Sequence, residues 1–126
     1  MTILLDTSVA IPVRDGDPAV LSRLAKLEET LAVSIVTVVE LQGGLAMDDS
    51  AVRRARLDLL LRELRVLAFG QREAAAYGDI VMKAGYSRRK VLVRMIAAQA
   101  MTAGATLVTL NPGDFRDIEG LAVEGW

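Results

Sequence analysis

The sequence predicts an α/β protein built on a parallel sheet with helices on both faces. Four short apolar runs alternate with segments of helical periodicity, which is the pattern of consecutive βαβ units. The runs are continuously apolar, as in strands that are buried on both faces. Three of the runs are closely followed by an acidic residue, namely Asp6, Glu40 and Asp114.

The length and composition predict one domain over residues 1–126. Hydrophobic residues make up 52% of these 126 residues, which is enough for a well-buried core. No apolar run approaches the roughly 18 residues that span a bilayer. No secretory leader pattern is present either, so we expect a cytoplasmic protein without a membrane partner.

The chain contains no histidine and no cysteine. This excludes Ser-His-Asp triads, thiolate chemistry, disulfides and ordinary structural zinc sites. An enzyme of this composition must use lysine, or carboxylates with a hard cation. The net charge of −1 provides no general attraction to nucleic acid, so such a partner requires a local basic patch.

The first predicted strand, Thr2 to Leu5, ends at Asp6. Ligands of open α/β sheets bind outside the carboxyl ends of the strands, which makes Asp6 a candidate cation ligand. Asp is also a favoured helix N-cap, and that role stays open. A helical turn over 8–14 follows, and a second helix begins at Asp17 with Pro18 in its first position. Its predicted inner face carries Leu21, Leu24, Leu27 and Leu31.

A second buried strand is predicted from Leu31 to Ile35, and Thr37 is predicted to cap the helix after it. Glu40 lies three residues after Thr37, which is the spacing of a capping box. Glu40 also follows a strand end, as Asp6 does. It is therefore a candidate for capping and for cation binding alike.

The middle of the chain predicts two helices and a third strand. A basic amphipathic helix begins at Asp48-Asp49-Ser50 and runs to about Arg65. Its arginine cluster over 53–56 is either a solvated face or a surface for phosphate or a partner. Val66 to Phe69 predicts the third strand, and 71–84 predicts a helix that ends at Gly85.

The last third of the chain contains a basic segment over 87–90 and a tightly packed helix over 91–103. The fourth strand is predicted over 106–110. Residues 111–114 predict a type II turn, because Pro followed by Gly stands at its centre. A final edge strand is predicted over 121–124.

With these elements in place, the sequence resembles the PIN-domain family, and within it the VapC-type toxins of bacterial toxin–antitoxin pairs. The resemblance covers essentially the whole chain. Its motifs are Ile3-Leu4-Leu5-Asp6-Thr7-Ser8, the segment from Ser34 to Glu40, Ile96-Ala97-Ala98-Gln99-Ala100, and Leu107-Val108-Thr109-Leu110-Asn111-Pro112-Gly113-Asp114-Phe115. It implies a single PIN domain with a three-layer α/β/α fold, and metal-dependent cleavage of RNA by carboxylates that bind Mg²⁺ or Mn²⁺.

Carried over residue by residue, the resemblance assigns five positions of this sequence. The acids that match the catalytic and metal-binding positions are Asp6, Glu40 and Asp114. The polar residues that match the supporting positions are Ser8 and Asn111.

One position departs from the family pattern. A D-x-x-I-A-A motif places a further acid three residues before Ile96, where this chain has Val93. Even changes outside the ligands typically cost about 10–100-fold in metal affinity or activity, and loss of a ligand should cost no less. We therefore expect a ribonuclease that is weak or inactive. Val93 is either natural or introduced so that a toxic protein can be produced, and the intact remaining motifs favour the second origin.

The resemblance also implies three partners: RNA such as tRNA, a cognate antitoxin and a second copy in a homodimer. The candidates for RNA contact are Arg88, Arg89, Lys90 and Arg94, which precede or open the 91–103 helix. The alternative for this segment is a solvated helix start.

Other classes fit less well. A haloacid-dehalogenase phosphatase needs a second Asp where Ser8 stands, and a receiver-like domain needs an acid pair after its first strand. No dinucleotide or P-loop motif is present. The remaining rival is a PIN-fold protein that binds an antitoxin or RNA without cleaving it, and Val93 favours that alternative.

Overall fold

The computed structural model describes residues 1–47 and 50–126, and its helices and strands alternate along the chain. The strands are β1 (Thr2–Leu5), β2 (Thr30–Ser34), β3 (Arg65–Leu67), β4 (Thr106–Thr109) and β5 (Val123–Gly125). The α-helices are α1 (Thr7–Asp15), α2 (Pro18–Ala25), α3 (Ile35–Met47), α4 (Ala51–Glu63), α5 (Gln71–Ala84) and α6 (Val91–Ala103). Short 3₁₀ helices span Arg88–Lys90 and Pro112–Phe115.

The strands form one parallel sheet in the order β3-β2-β1-β4-β5. Leu5 in the central strand lies level with Val33 of β2 and Val108 of β4. The residues that follow these three therefore meet at one edge of the sheet. This confirms the predicted α/β class and places Asp6 at the carboxyl edge.

Successive residues of each inner strand face opposite layers of the core, which explains the continuous apolar runs. Ile3 and Leu5 pack on one face against α1, α2, α3 and α4. Leu4 packs on the other face against α5 and α6. The predicted layers of helix on both sides of the sheet are confirmed.

Several predicted helix ends are confirmed by their hydrogen bonds. The carboxylate of Asp17 accepts from the backbone N–H groups of Ala19 and Val20, which caps α2. The Ser50 hydroxyl accepts from Arg53 N and caps α4. The predicted start of that helix at Asp48 and Asp49 lies outside the described residues.

Two local predictions are wrong. Residues 111–114 do not form a type II turn, because that turn requires a positive φ at Gly113 and this glycine has none. The segment instead forms the 3₁₀ helix Pro112–Phe115. Leu21 is 41% exposed rather than on the inner face of α2, because Val20 takes the buried position there.

The capping box predicted from Thr37 and Glu40 is also wrong. The α3 helix begins two residues earlier, and Ser34 accepts a hydrogen bond from Val36 N at 2.8 Å. Thr37 therefore lies inside the helix, where it is fully buried. Glu40 is free of any capping role.

None of the helices in the described ranges is long and apolar enough to cross a membrane.

Candidate functional site

Asp6 lies at the carboxyl edge of the sheet between β1 and β4, and it is almost fully buried. Its backbone N–H continues the ladder to Val108 O at 2.9 Å. Its side chain does not cap α1, although Asp6 occupies the N-cap position of that helix. Instead, Oδ2 accepts hydrogen bonds from Ser8 Oγ at 2.7 Å and Thr109 Oγ1 at 2.8 Å.

These two hydroxyls are held in turn by backbone groups of the segment after β4. Leu110 N donates to Ser8 Oγ at 3.0 Å, and Asn111 N donates to Thr109 Oγ1 at 2.9 Å. Each hydroxyl has a single proton, which it gives to Asp6, so their mutual 3.2 Å contact adds no further hydrogen bond. The orientation of the Asp6 carboxylate is thus fixed by two backbone donors through two hydroxyls.

Glu40 belongs to a second group of hydrogen-bonded side chains, separate from the group around Asp6. Thr7 Oγ1 donates to Glu40 Oε1 at 2.8 Å and lies 2.9 Å from Thr37 Oγ1. Because Thr7 gives its only proton to Glu40, Thr37 must be the donor between the two threonines. These hydrogen bonds link α1 to α3. They hold the Glu40 carboxylate against Thr7, the residue that follows Asp6 in the sequence.

Val93 and Asp114 line a separate cleft of about 230 Å³, together with Ser87, Arg89 and Lys90. Val93 is half-buried and packs against the core beneath α6, whereas Asp114 is exposed. Asn111, the predicted supporting residue, is exposed and contributes its backbone N–H to Thr109. The structure thus places Val93 beside one predicted acid, Asp114.

The four predicted RNA-contact residues separate into two groups. Arg88 and Arg89 are exposed, and Lys90 is partly exposed. Arg94, however, is only 2% exposed, and its guanidinium donates to Gly85 O and to Asp117 Oδ2 at 3.0 Å. The prediction that Arg94 contacts RNA is therefore wrong, because its charge is used inside the fold.

Asp117 connects Arg94 to the exposed basic segment. Its Oδ2 accepts from Lys90 Nζ at 3.0 Å as well as from Arg94. The hydrogen bond from the Lys90 ammonium, with a smaller one from Arg94, holds the pKa of Asp117 below its ordinary value, and partial burial opposes the shift. The carboxylate is thus a shared counter-ion for one buried and one cleft-lining cation.

The PIN domain family model matches residues 3–121. The chain belongs to the PIN-domain family. Within this family it is of the VapC type, since a ribonuclease VapC2 from Haemophilus influenzae is 32% identical over 98% of this chain and 96% of the relative. The ribonuclease VapC2 of Rickettsia felis is 27% identical over 100% of this chain and 98% of the relative.

A solved structure shows the same PIN fold over the full length. It is that of VapBC2 from Rickettsia felis bound to a DNA fragment from the promoter, and it contains a chain that matches with a TM-score of 0.85 and 27% identity. The match covers 100% of the present chain and 99% of that chain.

Carboxylate oxygens are the right ligands for Mg²⁺ or Mn²⁺, so the predicted acids are suitable donors by their chemistry. Yet among residues 1–47 and 50–126, no three acidic side chains lie in an arrangement that holds a metal ion. Asp6 and Glu40 have separate hydroxyl partners, and Asp114 lies in the cleft of Val93. The assignment of these three acids to one site stays a prediction from the resemblance.

Four residues that build this region of the PIN domain were not among the predicted site residues: Thr7, Thr37, Thr109 and Asp117. The three threonines all lie in or beside the quoted motifs, so a polar residue within an apolar motif was an available signal. Asp117 carried no such signal, because its partners Lys90 and Arg94 lie on two other elements, the 3₁₀ helix Arg88–Lys90 and α6.

Proposed function

We propose that this PIN-domain protein is the toxin component of a type II toxin–antitoxin pair, a metal-dependent endoribonuclease by lineage whose own activity is impaired. The observation that carries the proposal is the position of Val93, which lines a cleft with Asp114 where the family pattern expects an acid. The ribonuclease names of its relatives support RNA as the substrate class. Such a protein would act in the cytoplasm.

The chemistry that Val93 removes is specific. Divalent ions held by carboxylates orient a scissile phosphate and make a bound water nucleophilic near neutral pH. In the present chain Asp6 is held rigidly by Ser8 and Thr109, and Glu40 by Thr7. Val93 contributes an apolar side chain instead of a ligand. We therefore expect the native chain to cleave RNA slowly or not at all.

The test is to restore the acid at this position. Val93→Asp should cleave tRNA or other structured RNA in Mg²⁺ or Mn²⁺, and EDTA should stop the cleavage. A gain of at least about 10-fold over the native chain is expected, from the cost of disturbing a metal site. Gel analysis of labelled RNA measures this outcome.

Two matched variants control the experiment. Val93→Asn has a similar size but no charge, so it should remain as slow as the native chain. Adding Asp6→Asn to Val93→Asp should abolish the gain. Equal cleavage by the native chain and Val93→Asp would contradict the impairment, since Asp6, Glu40 and Asp114 would then suffice.

The alternative function is a non-catalytic PIN-fold protein that binds an antitoxin or RNA. It is favoured by the absence of a three-acid cluster among the described residues. Ligands that bind only the folded state raise the melting temperature. A melting temperature of Val93→Asp that does not respond to Mn²⁺ or Mg²⁺, together with no cleavage of a broad RNA panel, would favour this alternative.

An antitoxin is the protein partner that we propose. A groove of about 320 Å³ lies between α1, α2 and α4, and both its apolar lining and its exposed leucines suit an apolar peptide segment. The leucines that line it are Leu21, Leu24, Leu31, Leu59, Leu60 and Leu64. Arg14, Arg56 and Glu63 supply charge at the same groove. A homodimer is a further proposal, to be measured by sedimentation.

A further inference from the structure

The cleft that contains Val93 carries more positive than negative charge. Its lining residues include two cationic side chains, Arg89 and Lys90, and one carboxylate, Asp114. An acid at position 93 would balance the two cations with a second carboxylate. Asp117 pairs with Lys90 but is shared with the buried Arg94. With Val93 the balance therefore still favours an anion, because a carboxylate repels and an ammonium or guanidinium attracts a phosphate.

Arg89 is available to a ligand. It is exposed, and it forms no hydrogen bond or ion pair with any residue that the structure describes. A guanidinium presents five donors in a planar fork that matches phosphate oxygens. Because Arg89 lines the same cleft as Val93, these donors are available to a ligand in that cleft.

Lys90 is held in place rather than free. Its ammonium donates to Asp117, and that bond uses one of its three donors. Asp117 is itself fixed by the buried Arg94. Lys90 is thus a pre-positioned cation at the cleft, which lowers the entropy that binding would otherwise cost.

We propose that the Val93 cleft binds a phosphate group of RNA directly, through Arg89 and Lys90 with the Ser87 hydroxyl as a third donor, and without a divalent cation. This inference rests on the proposed function for its choice of RNA as the ligand. In this proposal Arg89 and Lys90 take the place of the divalent cation that the family pattern implies. Val93 then sets the charge of the cleft rather than merely leaving a ligand out.

The experiment measures binding of a short fluorescein-labelled single-stranded RNA by anisotropy, in EDTA and over a range of NaCl concentrations. The native chain should bind equally well in EDTA and in Mg²⁺. Arg89→Gln should weaken binding by about 2- to 5-fold, as expected for one exposed ion pair. It should also lower the slope of log affinity against log salt by about 0.7, the value for one phosphate contact on a single strand.

The chain offers a matched control next to Arg89. Arg88 is also exposed and belongs to the same 3₁₀ helix, but it does not line the cleft. Arg88→Gln should therefore change affinity and salt slope less than Arg89→Gln does. Melting temperatures of both variants should match that of the native chain, because neither side chain is buried.

A second pair of variants tests the role of charge at position 93. Val93→Asp should bind RNA more weakly in EDTA, and Mg²⁺ should restore its affinity. Val93→Asn should bind as the native chain does in both conditions. A native chain that needs Mg²⁺ to bind, or that does not bind at all, overturns the proposal, and so do equal effects of Arg88→Gln and Arg89→Gln.

The two proposals fail separately. Failure of Val93→Asp to cleave RNA would contradict the proposed lineage function, while the EDTA binding results would still stand. Cleavage by Val93→Asp combined with Mg²⁺-dependent binding by the native chain would overturn only the phosphate site.

Discussion

Arg94 carries a permanent positive charge into the interior, and its contacts explain how the fold tolerates that charge. The side chain is 2% exposed, and its guanidinium reaches Gly85 O and the Asp117 carboxylate. Its Nε has no partner among the described residues. A buried charge is costly unless it is paired, so Asp117 is the residue that makes this position possible.

Asp117→Asn should lower the free energy of unfolding by about 1–3 kcal/mol, because it leaves the charge of Arg94 without a counter-ion. Urea unfolding followed by circular dichroism measures the change. The control is Asp114→Asn, an exposed carboxylate three residues earlier, which should stay within about 0.5 kcal/mol of the native chain. Equal effects of the two variants would show that the ion pair contributes nothing specific.

The same pair predicts a dependence on pH. Because Lys90 and Arg94 hold the pKa of Asp117 below its ordinary value, the unfolded chain takes up a proton here before the folded chain does. The stabilisation is therefore complete above the ordinary Asp pKa of about 3.9, and it is lost as the pH falls through the lower folded pKa. The melting temperature of the native chain should exceed that of Asp117→Asn at pH 7. A gap that stays constant down to pH 3 would contradict this linkage.

At the level of single residues, a sequence motif brings together only partners that are close along the chain. Ser8 and Asp6 are two residues apart and stand within one motif. Thr109 reaches Asp6 across 103 positions and Asp117 reaches Arg94 across 23, so no local pattern announces either contact. Arg94 was misassigned for this reason, since an arginine in a basic run gives no sign that it points inward.

Among the elements, the start of α3 shows how a motif can mislead. Thr37 and Glu40 have the spacing of a capping box, but Ser34 already accepts from Val36 N at the strand end. The competing cap lies in the last residue of β2, so a strand residue also serves as a helix cap. The helices α5 and α6 were predicted more closely, because glycines at 85 and 104 end them.

Ser34→Ala should destabilise the fold by about 1 kcal/mol, the usual cost of losing a cap. Glu40→Gln should have a much smaller effect, because a glutamine oxygen still accepts from Thr7 and no cap depends on it. Thermal unfolding of both variants gives the comparison. A larger loss for Glu40→Gln than for Ser34→Ala would restore the capping box as the explanation.

The whole molecule has two core layers on one parallel sheet, and the layer that contains α1, α2 and α4 leaves an open apolar groove. The continuously apolar strand segments predicted both layers, because inner strands of this sheet must be apolar on both faces. The groove was not predictable in the same way. Leu21 was assigned to the core, and only the packing of both α2 and α4 against α1 shows that it is 41% exposed and lines a groove with Leu59.

The groove between α1, α2 and α4 leads to a prediction about antitoxin binding. Leu59 lines the groove and is 56% exposed, so Leu59→Glu should fold normally but place a charge against an apolar partner segment. Affinity for the cognate antitoxin should fall by about 10-fold or more, as for a central contact of an interface. Calorimetric titration of purified toxin and antitoxin measures it.

Val52→Glu is the matched control for the groove. Val52 is 61% exposed on the same helix as Leu59 but does not line the groove. It should leave antitoxin affinity unchanged, while both variants keep the melting temperature of the native chain. If the two glutamates weaken binding equally, charge rather than the groove governs the interaction. If neither weakens it, the antitoxin binds elsewhere, and the groove is left for a second copy of the chain, which sedimentation of Leu59→Glu would reveal as a loss of dimer.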